Sequence, residues 1–452
     1  MSRTFRHSTV APVAAVLAAL GLGALAVTTT RLEPRQQDGG ASSAAPAATG
    51  LRAAAPGGSS THVDRAGTQQ RLIYDGHRTD AWDTAMTQGG PSFSRRTVRM
   101  VVHSSVAGSG LRVRLSDLRS PAALTVGAAD VAVQAGGGAA VPGTHHRLTF
   151  FGSRSVTVPA GTERFSDVVP MRVTAGENVL VSIYLPGPTG PSTWHRESYQ
   201  TTYLTGDGAH VGDHVGDDSA AAYTDTTTSW YYLSGLDVVS STARGTVVAF
   251  GDSITDGYHS TLDANRRWPD QLARRLAARP GGQRLGVVDA GIAGNRLLSE
   301  APQTYRGLSG VRRFDHDALD VPGVRDVIVL EGVNDLSNDV NGAGGPLTAQ
   351  DLISGYRALI SEAHASGVRI IGGTILPYSR LSPAMNTVRI DVNTWIRTSG
   401  VFDAVVDFDR VIRDPADPAA LNPAYDSGDH LHPNDAGMLA MADAVNLGTL
   451  AS

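Results

Sequence analysis

The apolar residues of this chain change their period once, between Val239 and Thr246, and that change constrains the fold more than any other feature. From about Arg71 to Val239 the period is two. Leu111, Val113 and Leu115 alternate with Arg112, Arg114 and Ser116, and the same texture recurs over Val98–Val106, Val156–Val158 and Val179–Leu185. Alternation sends successive side chains to opposite faces, which is the pattern of half-exposed strands. Turn signals at Ala135–Gly138 and Pro186–Gly190 separate the runs, so this region is expected to be an antiparallel β-sandwich without a long amphipathic helix. Glycine, at 51 of 452 residues, is about 11% against a usual share near 7% and suits so many turns.

After Arg244 strands and helices alternate. Thr246–Phe250, Leu285–Ala290, Asp326–Glu331, Arg369–Leu376 and Ala404–Phe408 are compact apolar runs of the kind buried on both faces of a parallel sheet. Between the third and fourth, Leu352, Ile353, Tyr356, Leu359, Ile360 and Ala363 make one helical stripe. Residues 242–452 are therefore expected to form a doubly wound α/β domain with a parallel sheet, preceded by the sandwich over 66–241. Ahead of both, 27–65 is rich in Ala, Gly, Pro, Ser and Gln without periodicity, a flexible linker. Residues 1–26 carry Arg3 and Arg6, then an apolar run from Ala11 to Val27 containing Ala24-Leu25-Ala26, and read as a secretory signal peptide. An uncleaved anchor is the competing reading, but the run is at the short end of a spanning length and diluted by Ala and Gly. The expected protein is secreted, monomeric and not stably inserted in a membrane.

The charge balance, 38 Lys+Arg against 43 Asp+Glu, gives −5 spread over a chain only 18% charged, so no basic patch suggests a nucleic-acid partner. Zero Cys excludes disulfides, thiolate zinc sites and thiol nucleophiles. Any covalent chemistry needs another nucleophile.

In open α/β sheets ligands bind beyond the carboxyl ends of the strands, so the residues after each run matter most. These are Gly251-Asp252-Ser253-Ile254, Gly291-Ile292-Ala293-Gly294-Asn295, Gly332-Val333-Asn334-Asp335 and, before the final helix, Asp429-His430-Leu431-His432-Pro433. Ser253 falls at a strand-to-helix turn, where backbone donors and a partial positive charge collect. A serine hydroxyl becomes a nucleophile when a base takes its proton, and His432 is the candidate base, with Asp429 in the same loop or first helical turn to orient it. The Ser253 N–H, the Gly294 N–H and the Asn334 side-chain amide are candidate oxyanion donors if the loops converge. Each block alone has an ordinary reading: a helix cap, an Asx turn, a surface ion pair. Their conjunction, in order along one sheet edge, is what argues for a site.

That conjunction resembles the SGNH, or GDSL-type, esterase/lipase superfamily, over roughly Val247 to Val445, with Ile254 at the fourth position of the Gly-Asp-Ser block. The resemblance implies a metal-free, cofactor-free serine hydrolase acting on carboxylic esters through Ser253, Gly294, Asn334 and His432. Short-acyl or acetyl esters of carbohydrates and lipid or lysophospholipid esters stay open as substrates. The β-rich part, with Trp82, Trp194-His195 and Trp230, is similar to the extension that precedes this domain in many secreted actinobacterial esterases. A different class of reading is a cell-wall or polysaccharide-binding protein with vestigial activity. No Gly-x-Ser-x-Gly elbow and no His-Glu-x-x-His motif occurs. Asp207–Asp218 lacks the EF-hand order and reads as a polar loop, as does Gly342–Gly345. Trp268 suits either a substrate pocket or a helix core. The join between Val239 and Thr246 is too short for a free tether, so the β-rich part is expected to pack on the α/β part and to border the cleft, through the Trp194-His195 loop.

Overall fold

The structure, a computed structural model, describes residues 78–451 apart from 280–284 and 344. The expected signal peptide and linker fall outside the described residues.

The apolar runs after Arg244 become a five-stranded parallel sheet. Across the sheet the strands are Gly286–Gly291, Thr246–Gly251, Val324–Leu330, Arg369–Gly373 and Ala404–Val406. The strand first in sequence thus has the second on one side and the third on the other. The chain diverges there, and a crevice opens beyond its carboxyl end. Every residue of Thr246–Gly251 is buried, as a run apolar on both faces requires. Two expected strands end early, at Gly373 and Val406, yet Ile375, Leu376 and Phe408 beyond them stay buried. Those residues belong to the core without extending the ladder. The helical stripe lies on Ala349–Ala365, with Leu352, Tyr356, Leu359, Ile360 and Ala363 buried and Ile353 at its flank. Thr348 and Asp351 cap this helix reciprocally.

The region before Val239 is antiparallel throughout. Gly108–Ser116 pairs with Leu233–Val239, which pairs in turn with Arg78–Asp83, and Glu163–Phe165 and Val169–Val173 complete that sheet. A second sheet is built around Asn178–Leu185, flanked by Arg96–His103 and Ala128–Gly136. Val98, Met100, Leu111, Val113, Val181 and Ile183 share one apolar cluster between them.

The expected half-exposure holds on Val156–Val158, where Thr157 is exposed, but fails at Arg99 and Arg114. Arg99 stands where alternation predicts a solvent-facing residue, but it is fully buried and donates to Ser182 Oγ and to the carbonyls of Gly138, Val215 and Asp217. The polar loop over Asp207–Asp218 folds across that face and covers it. Arg114 is buried for a second reason, since Asp83, Ser234 and Glu163 surround its guanidinium. Alternation reports chemistry along the strand, and it cannot see what the rest of the chain lays on the polar side.

The β-rich part packs against the edge of the parallel sheet. Thr84 bridges Asp289 in parallel, the Val287 N–H donates to Ser105 Oγ at 3.0 Å, and the Asp80 N–H lies 3.2 Å from Thr246 Oγ1. The described residues form one compact unit.

Candidate active site

At the end of Thr246–Gly251, Asp252 accepts the Ile254 N–H at 2.9 Å and caps a single helical turn, Ser253–Asp256, which Gly257 closes at φ 84°. The turn presses on the neighbouring strand. A Cβ on Gly291 would stand 2.2 Å from the Asp256 nitrogen, so only glycine permits the approach. Ser253 Oγ lies 2.8 Å from His432 Nε2, and His432 Nδ1 lies 2.5 Å from Asp429 Oδ2. A carboxylate can only accept, so the hydrogen of the neutral ring sits on Nδ1 and the Nε2 lone pair faces the Ser253 hydroxyl. The other Asp429 oxygen accepts the Leu431 and His432 N–H groups at 3.0 and 2.9 Å. Partial burial opposes its charge, but the His432 ring and these amides hold the Asp429 carboxyl well below the usual carboxylate range. Asp429 and His432 both lie in the loop before Asp435–Ala444, which Asn434 caps.

The second and third loops reach the same place. Gly294 has φ 77°, a conformation that favours glycine, and a Cβ there would come within 2.8 Å of Arg306 Cδ and displace that side chain. Asn334 sits in the first turn of Val333–Asn338 and donates to the Asn295 carbonyl at 2.9 Å, tying the third loop to the second. The same nitrogen lies 3.5 Å from Asp252 Oδ2, a long contact that an oxyanion in the cavity could replace. Ser253, Gly294, Asn334, Asp429 and His432 all line one cavity of about 460 Å³. The five residues singled out from sequence are therefore brought together.

Behind this cavity Arg313, 1% exposed, donates to the carbonyls of Gly251 and Ala290 at 2.7 and 2.8 Å and to Asn295 Oδ1 at 2.8 Å, with Glu331 Oε1 at 3.2 Å. One buried cation thus joins the carboxyl ends of the first three strands. Around it burial pushes the Asp252 carboxyl up to about 7, against the Ile254 amide, and the Asp335 carboxyl up to about 6, against the Leu297 and Leu298 amides.

Several lining residues escaped sequence reasoning. Arg196 and Glu197, which follow the strand Ser192–His195, come from the β-rich part, so it borders the cavity two residues past the place expected. Trp194 instead donates its indole N–H to the Gln88 carbonyl. His195 is buried, with Nδ1 2.9 Å from the Ala85 carbonyl and Nε2 3.0 Å from Asp256 Oδ1. The Ala85 carbonyl can only accept, and a carboxylate at Asp256 does too, so the two contacts favour the imidazolium form of the ring. Burial opposes this, yet Asp256 outweighs it and raises the pKa of His195 above the ordinary histidine value. Asp256 Oδ2 takes the Ala293 N–H at 3.0 Å, so a chain of contacts runs from the β-rich part to the residue beside Gly294. Tyr305, Arg306, Tyr378 and Arg380 complete much of the wall, and no local sequence signal marks them. Trp268, fully buried against Phe408 at 5.5 Å between rings, belongs to the core.

His259 Nε2 lies 3.4 Å from Asp429 Oδ2, and ligand atoms of His259, Asp429 and His432 fall within 4.8 Å of one another. A divalent cation held there would engage the atoms that link Asp429, His432 and Ser253.

Residues 249–440, somewhat less than half of the chain, match the GDSL-like lipase/acylhydrolase family. That match supports reading the chain as a carboxylic ester hydrolase. Among solved structures it is similar to the lipase/acylhydrolase from Enterococcus faecalis, at 22% identity and TM-score 0.35 over 46% of this chain and 97% of that one. It is similar also to the native M. smegmatis aryl esterase, at 15% identity and TM-score 0.35 over 44% and 95%. A third similarity is to a psychrotrophic esterase from Pseudoalteromonas sp., at 17% and TM-score 0.34 over 44% and 93%. No curated protein matches the chain.

Proposed function

We propose that this protein is a secreted, monomeric serine esterase that cleaves carboxylic esters through an acyl-enzyme on Ser253, taking short-acyl or acetyl esters, those of carbohydrates among them. The observation that carries the reading is the chain of contacts from Ser253 Oγ to His432 Nε2 at 2.8 Å and from His432 Nδ1 to Asp429 at 2.5 Å, opening into the cavity. His432 Nε2 takes the hydroxyl proton as Ser253 Oγ attacks the ester carbonyl carbon, and Asp429 stabilises the imidazolium that forms. The carbonyl oxygen becomes an oxyanion, met by the Ser253 and Gly294 N–H groups and the Asn334 amide. Collapse expels the alkoxide, which receives the proton from His432. Water then repeats the sequence on the acyl-enzyme and frees the acid. The polar wall, with Arg196, Glu197, Tyr258, Tyr305 and Tyr378, supports a hydrophilic substrate over a long acyl chain. In this reading the antiparallel part is a sandwich whose end shapes the cleft.

Ser253→Ala tests the assignment. Turnover of short-chain nitrophenyl esters is expected to fall to background, and a phosphonate probe is expected to label Ser253 in the wild-type protein and no serine in the variant. Turnover above roughly a tenth of wild type would remove Ser253 from the mechanism. Polysaccharide binding without turnover in the wild-type protein would favour the binding-module reading instead.

A further inference from the structure

Three arginines face the cavity that holds Ser253: Arg196, Arg306 and Arg380. We propose that they select esters carrying a fixed negative charge close to the scissile bond, on either the acyl or the alcohol side. The inference rests on the hydrolase reading above and specifies its substrate class.

The arginines differ in how they are held. Arg196 lies over the Tyr305 ring at 4.2 Å and pairs with its neighbour Glu197 at 3.3 Å, so it is oriented and partly neutralised. Arg306 is half-buried and makes no ion pair among the described residues, and its Cδ, Nε and Cζ come within 2.8, 2.9 and 3.2 Å of the point where a Gly294 Cβ would stand. Its guanidinium is therefore laid along the loop whose N–H is the second oxyanion donor. Arg380 is exposed at the rim, likewise without an acidic partner among the described residues.

The acids that share the wall are already engaged. Glu197 has Arg196, and Asp429 has His432 and two backbone amides. The cavity is left with two uncompensated guanidinium groups in a chain whose overall charge is −5. A neutral ester makes no use of that charge. A carboxylate, sulfate or phosphate on the substrate does, through the planar fork that suits such oxyanions.

The test compares matched esters with the wild-type protein. On the acyl side the pair is the half-ester 4-nitrophenyl adipate and neutral 4-nitrophenyl hexanoate. On the alcohol side it is 4-acetoxybenzoate and 4-acetoxybenzamide. All rates are corrected for uncatalysed hydrolysis. In at least one pair the charged member is expected to show kcat/KM about tenfold higher at low salt, the scale of one charge-assisted contact. The ratio should fall severalfold near 1 M salt, where the screening length is about 3 Å. Arg306→Gln is expected to collapse the ratio toward one, whatever it does to the absolute rates. The arm that responds places the charge on the acyl or the alcohol side. Equal kcat/KM within both pairs, or a salt-independent preference that survives in Arg306→Gln, would overturn the proposal while leaving the hydrolase reading standing. Absence of turnover of any ester, with Ser253 unlabelled, would overturn both.

Discussion

Replacing His195 by Ala should show how far the β-rich part holds the hydrolytic loops in place. The substitution removes an imidazolium that bridges the Ala85 carbonyl and the Asp256 carboxylate, and both acceptors are buried, Ala85 at 2% exposure and Asp256 at 3%. A buried neutral acceptor left unpaired costs about 1–2 kcal/mol and a carboxylate about 2–3 kcal/mol, so the expected loss is about 3–5 kcal/mol. Urea unfolding followed by fluorescence measures it. His195→Gln keeps one donor and should recover part of the loss. Asp256 also holds the Ala293 N–H, one residue before Gly294, so kcat should drop by roughly 10–10²-fold as the loop loosens. The pH dependence has a definite sign. Because the folded pKa of His195 is raised, its contribution is fully present below the unfolded value near 6.5 and is lost as pH rises through the folded value. The alanine variant should therefore show a smaller alkaline loss of stability than wild type. A loss below about 1 kcal/mol with unchanged kcat would refute the view that this contact braces the site.

Asn334→Ala removes a proposed oxyanion donor and should cost on the order of 10²–10³ in kcat, read from steady-state kinetics; an unchanged kcat would mean that the third loop does not face the carbonyl oxygen. Asp429→Asn should lower kcat by roughly 10³–10⁴ without unfolding the protein, because an amide can donate to His432 Nδ1 and so hold the wrong tautomer; loss below tenfold would remove Asp429 as the orienting group. His316 touches Asp317 and Glu163 across the two parts of the chain, and although burial opposes its charge, these carboxylates push its pKa up to about 10. Its stabilisation should be complete below about 6.5 and disappear as pH rises through about 10, and His316→Gln should flatten that alkaline decline in thermal melts.

The sequence made the site legible because each of its blocks is local. A strand followed by Gly-Asp-Ser, a Gly-x-Asn-Asp turn and an Asp-x-x-His-Pro loop carry their meaning within a few residues, and the parallel sheet needed only apolar runs of the right length. What stayed hidden depends on residues far apart in sequence. Nothing near Arg306 tells it from the other arginines; its place is fixed by the path of the loop that carries it past Gly294. Asp256, three residues after Ser253, reads as an ordinary helix-end acid until His195 arrives from 61 residues away. The buried Arg99 shows the same limit for the fold, since alternation predicted exposure and a loop more than a hundred residues away removed it.

The separation of Ser253 from His432 by 179 residues has a consequence for how the protein matures. Four of the five parallel strands lie between them, so the imidazole reaches the hydroxyl only when the sheet has closed. Until then, on the mechanism proposed above, the serine is an ordinary alcohol. Regain of turnover after dilution from denaturant should therefore lag behind regain of secondary structure, marking the final closure of the chain.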